Sequence, residues 1–234
     1  MESLAIWRDG ASEFMAVRHL SQERALHPAV LALIESSAGE RLLDYGCGDG
    51  RILERLAQRW VIDAYDPSPQ MREIAARRVG HRLDRLLSTP AELAGVYDVV
   101  LLGMVILCIP EDAELRRVLR ECAGVMHDRS RLLITTTHPC FRNARFSNFH
   151  TSFCDRQPFA YMEEGQPFDV TLQDPGSEGV TFTDYHWSLN FTVDALRQEG
   201  LAVHSLVEVP DDPASAYRNG LVPPYLIFDC VRAP

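Results

Sequence analysis

The basic residues of the sequence are not collected in a run. The 23, all arginine and none lysine, are scattered over 234 positions and are outnumbered by 33 acids, giving a net charge of −10. Sequence-independent binding to nucleic acid needs grouped cations at the phosphates, so that class of partner is not expected. No apolar run approaches the roughly 18 residues of a membrane-spanning helix. The opening MESLAIWRDG lacks a charged segment leading into an apolar one. A cytoplasmic protein with no membrane partner is expected. The six cysteines include no CxxC pair, and Cys47, Cys108 and Cys230 sit in apolar runs, which predicts reduced, buried thiols. His138 and Cys140 lie close together, but no further ligand cluster completes a metal site, so no metal is expected.

What is present is a chain with 46% hydrophobic and 24% charged residues, ordinary for a globular protein. Its length suits one domain over 1–234. The segments 41–45, 60–66, 85–88, 97–103 and 131–137 read as strands. Helical patterns lie over 11–35, with Pro28 placed to open a second helix, and over 50–59, 70–78 and 111–126. Strand and helix alternate, which implies parallel strands joined by right-handed crossovers. The rhythm stops at His138. Residues 138–189 are rich in Phe and Tyr with interspersed Gly and Pro, and read as an ordered insertion covering a substrate pocket. A helix over 190–199 then ends at Gly200, and strands 202–209 and 225–232 form an antiparallel hairpin at the sheet edge.

The turn after the first strand reads Asp44-Tyr-Gly46-Cys-Gly48-Asp-Gly50. Glycines at alternate positions let a ligand approach the backbone closely. A dinucleotide fingerprint of the GxGxxG type fails, because Arg51 stands where its third glycine belongs. The acid Asp44 favours a cation over a pyrophosphate. Asp66, ending the second strand before Pro67, is placed to accept both hydroxyls of a ribose, each such charged hydrogen bond contributing about 1.5–3 kcal/mol. A phosphate-free, cationic nucleoside answers these requirements, and S-adenosyl-L-methionine is such a molecule.

In order, LLDYGCGDGRI, DAYDPSPQM, YDVVLLGMVILCIPED, LLITTTHPCF and a YH…PPYLIF ending resemble the class I S-adenosylmethionine-dependent methyltransferases, of the small-molecule, bacterial secondary-metabolism type. The resemblance runs through nearly the whole chain. It implies an α/β fold: a Rossmann-like, seven-stranded, mostly parallel sheet with helices on both faces. It also implies Asp44, Gly46, Cys47, Gly48 and Gly50 beneath the methionine part of the cofactor, and Asp66, Pro67 and Met71 at the ribose. Thr89 and Ala91 would frame the adenine, with Gly103 and Met104 on the site's floor. Two departures stand out. Ser88-Thr89-Pro90-Ala91 replaces an Asp–Ala pair common in relatives, and Leu107-Cys108 replaces a frequent His pair. Arg18 is a candidate partner for the methionine carboxylate. Val222-Pro-Pro-Tyr225 imitates a motif of amino-methylating nucleic-acid enzymes, but lacks its first residue and its position after the fourth strand.

A methyl sulfonium is already activated, so alignment supplies much of the catalysis. A base is needed only for an acceptor protonated at working pH. His138, just after the fifth strand, and His186, at the end of the insertion, are the candidates. Trp7, Phe14, Phe141, Tyr185 and Trp187 are candidate substrate contacts. The expected reaction is methyl transfer to a small molecule, a secondary metabolite or its precursor, leaving S-adenosylhomocysteine. Two alternatives stay open: cyclisation of the cofactor to azetidine-2-carboxylate with release of methylthioadenosine, and a non-catalytic S-adenosylmethionine-binding regulatory module. Loop 104–110 and the insertion are each candidate surfaces for a homo-oligomer.

Overall fold

The computed structural model describes residues 19–146, 149–153, 158–173, 179–211 and 222–233. Among them, seven strands form one twisted sheet in the order β3-β2-β1-β4-β5-β10-β9. They are β1 (Arg41–Tyr45), β2 (Val61–Tyr65), β3 (Leu83–Leu87), β4 (Tyr97–Gly103), β5 (Met126–Thr137), β9 (Leu201–Val209) and β10 (Tyr225–Arg232). The first five pair in parallel. The closing strand β10 runs antiparallel to β5 on one side and to β9 on the other. The hairpin is therefore at the edge as expected, with β9 outermost. The order reverses at β1 and β4, so the carboxyl ends of these strands diverge into a crevice.

Side-chain alternation explains why the sheet is covered on both faces. Val100 and Leu102 of β4 pack with Leu115, Val118, Leu119 and Leu196 of helices α3 (Asp112–Gly124) and α4 (Leu189–Gln198). Their neighbours Val99 and Leu101 pack the other way, with Val30 and Ile34 of α1 (His27–Ser36) and Ala75 and Val79 of α2 (Pro69–Val79). In α3, Leu115, Val118, Leu119 and Cys122 recur at helical spacing and are all buried. Each buried leucine contributes about 1.5–3 kcal/mol. Helix α2 starts where Ser68 Oγ accepts the Met71 N–H at 3.3 Å and Pro69 presets the first turn. Helix α4 stops at Gly200, whose φ of +75° few other residues adopt.

The helix read over 50–59 is absent; a single 3₁₀ turn, Leu53–Arg55, stands there. The backbone groups just after it are paired from outside. Glu35 accepts the Ala57 N–H at 3.0 Å, and Arg82 donates to the carbonyls of Leu56 and Ala57 at 3.0 and 3.1 Å. A segment this short gains too little from internal hydrogen bonds to compete. Leu53, Leu56 and Trp60 still reach the core. Strand β5 also begins earlier than expected, because Ser130 Oγ accepts the His127 N–H and donates to the Tyr97 carbonyl, tying residues 126–130 to β4.

Within 138–189 the described residues form a three-stranded antiparallel sheet, β6 (Phe149–Ser152), β7 (Gln166–Leu172) and β8 (Val180–His186), in that order. Its inward side chains Phe149, Phe168 and Val170 join the core formed with Tyr225 and Ile227 of β10. Cys47, Cys122 and Cys230 are buried free thiols, whereas Cys140 is exposed; Cys154 lies outside the described residues. No helix among the described residues is long and apolar enough to cross a membrane.

Candidate cofactor and acceptor site

A cleft of about 300 Å³ opens at the carboxyl ends of β1, β2 and β4. Its floor is the turn after β1. Gly46 has φ +86°, and a Cβ on it would lie 2.4 Å from Val105 Cγ2, so only glycine lets the loop after β4 close over the turn. Gly48, at φ +53°, differs: a Cβ there would meet no atom within 4 Å. Gly48 itself lines the cleft. The turn is fixed from β2, since the N–H groups of Gly46 and Cys47 donate to the Tyr65 carbonyl at 2.7 and 2.9 Å.

Asp66 completes the floor. Its Oδ2 accepts the Gly48 N–H at 2.8 Å and its Oδ1 accepts the Ser68 N–H at 2.9 Å. Each carboxylate oxygen has a second lone pair for a ligand hydroxyl. Burial raises the Asp66 carboxyl above its usual range, against those two backbone donors. The side chain of Asp44, a residue 2% exposed, makes no hydrogen bond to any described residue. Burial, then the charges of Asp66 and Asp49, push it up to about 8. The cleft's arginines are already paired, Arg51 with Glu23 and Asp49, and Arg117 with Glu114 and Glu121. Acids beside arginines that are already paired suit a positively charged, phosphate-free nucleoside, and the open face of Gly48 is where its backbone-hugging part fits.

Gly46, Cys47, Gly48, Asp44, Asp66, Pro67, Met71, Gly103 and Met104 all line this cleft. Gly50 does not; it packs on α2, where a Cβ would meet Val79 Cγ2 at 2.6 Å. Thr89 and Ala91 do not line it either. Thr89 and Ser88 are turned to Glu92, whose carboxylate accepts from the Thr89 N–H at 3.0 Å and the Ser88 hydroxyl at 2.5 Å. The wall at that end comes instead from Tyr45, Tyr65, Glu114, Arg117 and Val118. Tyr45 donates to Glu121 and meets Tyr65 edge-on at 4.8 Å.

The segment leading into α1 supplies residues that sequence reasoning missed: His19, Gln22, Leu26 and His27. Their signal was local. Pro28 follows His27 inside a continuous helical pattern, and the turn Gln22–Leu26 before it is widened to a π-helix, a form concentrated at functional sites. Burial lowers the His27 imidazole to about 4, with Arg55 and Arg51 adding to the effect, and its Nδ1 has no hydrogen-bond partner among the described residues. Arg18, Trp7 and Phe14 lie outside the described residues.

A second cleft of about 50 Å³ continues from the first past His19, Gln22, Met104 and Cys108, which line both. Met104 holds the junction at φ +58°, unusual for a residue with a side chain, with its N–H on the Thr135 carbonyl and hydroxyl. Thr137 of β5 and Asp184 of β8 line this second cleft among apolar neighbours.

His138, His186, Phe141, Tyr185 and Trp187 line neither cleft. His138 Nδ1 accepts the Cys140 N–H at 3.3 Å, leaving Nε2 to donate to Glu208 at 3.2 Å, while Phe141 packs on the ring at 4.6 Å. His186 is fully buried, its Nε2 2.9 Å from the Tyr161 carbonyl and its Nδ1 accepting from Arg142 at 3.5 Å. Burial lowers it to about 4, so it is neutral. Trp187 Nε1 donates to the carbonyls of Ile106 and Ile109 at 3.0 and 3.1 Å, bracing the loop after β4. Among the described residues no group of three His, Cys, Asp or Glu side chains is placed to hold a metal.

The fold and the main cleft define a Rossmann-like nucleoside-binding domain. The chain belongs to the methyltransferase-domain family, whose profile matches residues 17–170. Its cofactor is S-adenosylmethionine, and the cleft fits that group. The chain is 27% identical over 154 residues to a ubiquinone biosynthesis O-methyltransferase of Vibrio campbellii, spanning 62% of this chain and 63% of that enzyme. It is 28% identical over 192 residues to a trans-aconitate 2-methyltransferase of a Mycobacterium species, covering 76% of this chain and 70% of that one. Among solved structures, the CcbJ methyltransferase of Streptomyces caelestis superposes with a TM-score of 0.65 at 14% identity over 89% of both chains, a likeness of fold.

Proposed function

We propose that this chain transfers the methyl group of S-adenosylmethionine to a small-molecule acceptor, a secondary metabolite or its precursor, in the cytoplasm. The observation that carries the reading is the coupling of Gly48 to Asp66. It joins an open glycine surface to a carboxylate at the place a ribose requires, in a cleft whose described arginines are already paired with acids. The named relatives, which act in ubiquinone biosynthesis and on trans-aconitate, support a small-molecule acceptor.

In this reading Asp66 holds the ribose hydroxyls and the Gly46–Gly48 backbone lies under the aminobutyrate part. Asp44 lies nearby, where the positive charge of the cofactor would favour its ionised form, and Tyr45, Tyr65 and Arg117 enclose the base. When bound, the cofactor supplies a methyl group already activated on a sulfonium. The chain's task is then alignment, which contributes up to about 7–11 kcal/mol in favourable cases. Trp187 and Thr135 fix the loop after β4 that separates the two clefts, and the apolar walls exclude water.

Calorimetry and product analysis test this together. The expected result is one-to-one binding of S-adenosylmethionine, with S-adenosylhomocysteine formed only once an acceptor is present. Methylthioadenosine released from S-adenosylmethionine alone would overturn methyl transfer, and so would an absence of binding.

A further inference from the structure

The second cleft sits against two buried ionisable groups that form no ion pair. Arg142, 2% exposed, donates through Nη1 to the Thr137 hydroxyl and through Nε to His186 Nδ1, with its guanidinium 4.4 Å from the Phe168 ring centre. Asp184, 1% exposed, forms no ion pair with it, and Asp184 Oδ1 has no hydrogen-bond partner among the described residues. A buried carboxyl without a donor is costly and rare in folded proteins, and here it lines a cavity.

Thr137 is the cleft's complementary group. A guanidinium can only donate, so the Thr137 oxygen is the acceptor in that pair and its own proton remains available. Apart from Tyr225 and the His19, Gln22 and Cys108 it shares with the first cleft, the lining thus has an acceptor, Asp184, and a donor, Thr137, among walls that include Phe149, Val170 and Leu172. A hydroxyl group satisfies both. An ammonium has no lone pair for Thr137 and brings a further positive charge beside Arg142. A carboxylate has no proton for Asp184 and faces its charge. The cavity of about 50 Å³ compares with about 30 Å³ for a water molecule. It therefore takes a hydroxyl and its carbon, with the rest of the acceptor extending toward Met104 and Cys108.

Resting on the methyl-transfer reading above, we propose that Asp184 and Thr137 form the acceptor-recognition site and that the acceptor is an alcohol or phenol. Its O–H is donated to Asp184 and its oxygen accepts from Thr137. In the transfer the acceptor oxygen bonds to the methyl carbon as the carbon–sulfur bond breaks, its electron pair staying on sulfur, and the hydroxyl proton passes to the Asp184 carboxylate. Burial raises the Asp184 carboxyl well above the usual range while Arg142 opposes that rise, so its ionised form, favoured as pH rises, is a stronger proton acceptor than a surface aspartate.

The test is binding of three matched probes, benzyl alcohol, benzylamine and benzoate, by saturation-transfer NMR on the full chain saturated with S-adenosylhomocysteine. Benzyl alcohol is expected to bind about tenfold tighter than either other probe. Asp184→Ala and Thr137→Val should each weaken it by about fivefold, with Thr137→Ser restoring it and S-adenosylhomocysteine affinity unchanged throughout. Asp184→Asn serves where the alanine variant fails to fold. Benzoate or benzylamine binding as tightly as the alcohol would overturn the assignment, as would an alcohol affinity that neither folded variant alters. Failure of the unmodified chain to bind S-adenosylhomocysteine would instead remove the methyl-transfer reading.

Discussion

Asp66 Oδ2 accepts the N–H of Gly48 at 2.8 Å, locking the acid that ends β2 to the glycine turn that ends β1. The two halves of the cofactor cleft are therefore one unit, and disturbing either disturbs both. Asp66→Ala removes the ribose acceptor and the anchor of the turn. It should lower S-adenosylmethionine affinity by well over tenfold, as charged hydrogen bonds of about 1.5–3 kcal/mol each require. Calorimetry showing an unchanged dissociation constant would count against the ribose assignment.

Gly48→Ala separates binding from folding. The left-handed backbone there costs about 1–2 kcal/mol for a residue with a Cβ, and the methyl group meets no protein atom. Denaturant unfolding should show a loss of that size or less, while cofactor affinity falls by about tenfold or more, since the methyl group occupies the ligand's space. A variant with full affinity and reduced stability would place the ligand elsewhere.

Asp44 predicts a pH dependence. Its folded-state value of about 8 lies above its unfolded value, so between about pH 4 and pH 8 the folded chain binds the extra proton. This group's contribution to stability is fully present below pH 4 and falls as pH rises toward 8. The unfolding free energy of the unmodified chain relative to Asp44→Asn should decline across that window with a slope of up to about 1.4 kcal/mol per pH unit. Parallel pH profiles for the two proteins would show that Asp44 is ionised when folded.

Trp187 has a mechanical role that its expected place among substrate contacts did not suggest. Its indole N–H is shared between the carbonyls of Ile106 and Ile109. Trp187→Phe leaves both carbonyls without that donor and should destabilise the fold by about 1–3 kcal/mol in urea unfolding. An effect within about 0.5 kcal/mol would mean the loop holds its shape without this brace.

Features set by short stretches of chain were legible in the sequence. The alternation of strand and helix gave the sheet, and Asp44, Gly46, Gly48 and Asp66 declared themselves by position relative to predicted strand ends. Features set by distant partners were not. Residues 50–59 carry a helical pattern, yet Glu35 and Arg82 take the hydrogen bonds a helix would have used. The adenine end was assigned to Thr89 and Ala91 by likeness, whereas Glu92 draws the start of that segment to itself. Thr137, Arg142 and Asp184 converge only because the antiparallel sheet of the insertion folds back on β5, and no spacing in the chain announces that meeting. His138 and His186 stood out as isolated histidines near strand ends, but both ring nitrogens of each have partners within the fold.

The central claim, a cleft built for a cationic adenosine without phosphate, is tested most directly by calorimetric titration of the unmodified chain with S-adenosylmethionine and, separately, with ATP. Stoichiometric binding of S-adenosylmethionine, displaced by S-adenosylhomocysteine and accompanied by no measurable binding of ATP, is the predicted result. ATP binding as tightly as S-adenosylmethionine, or no heat from S-adenosylmethionine at all, would contradict it.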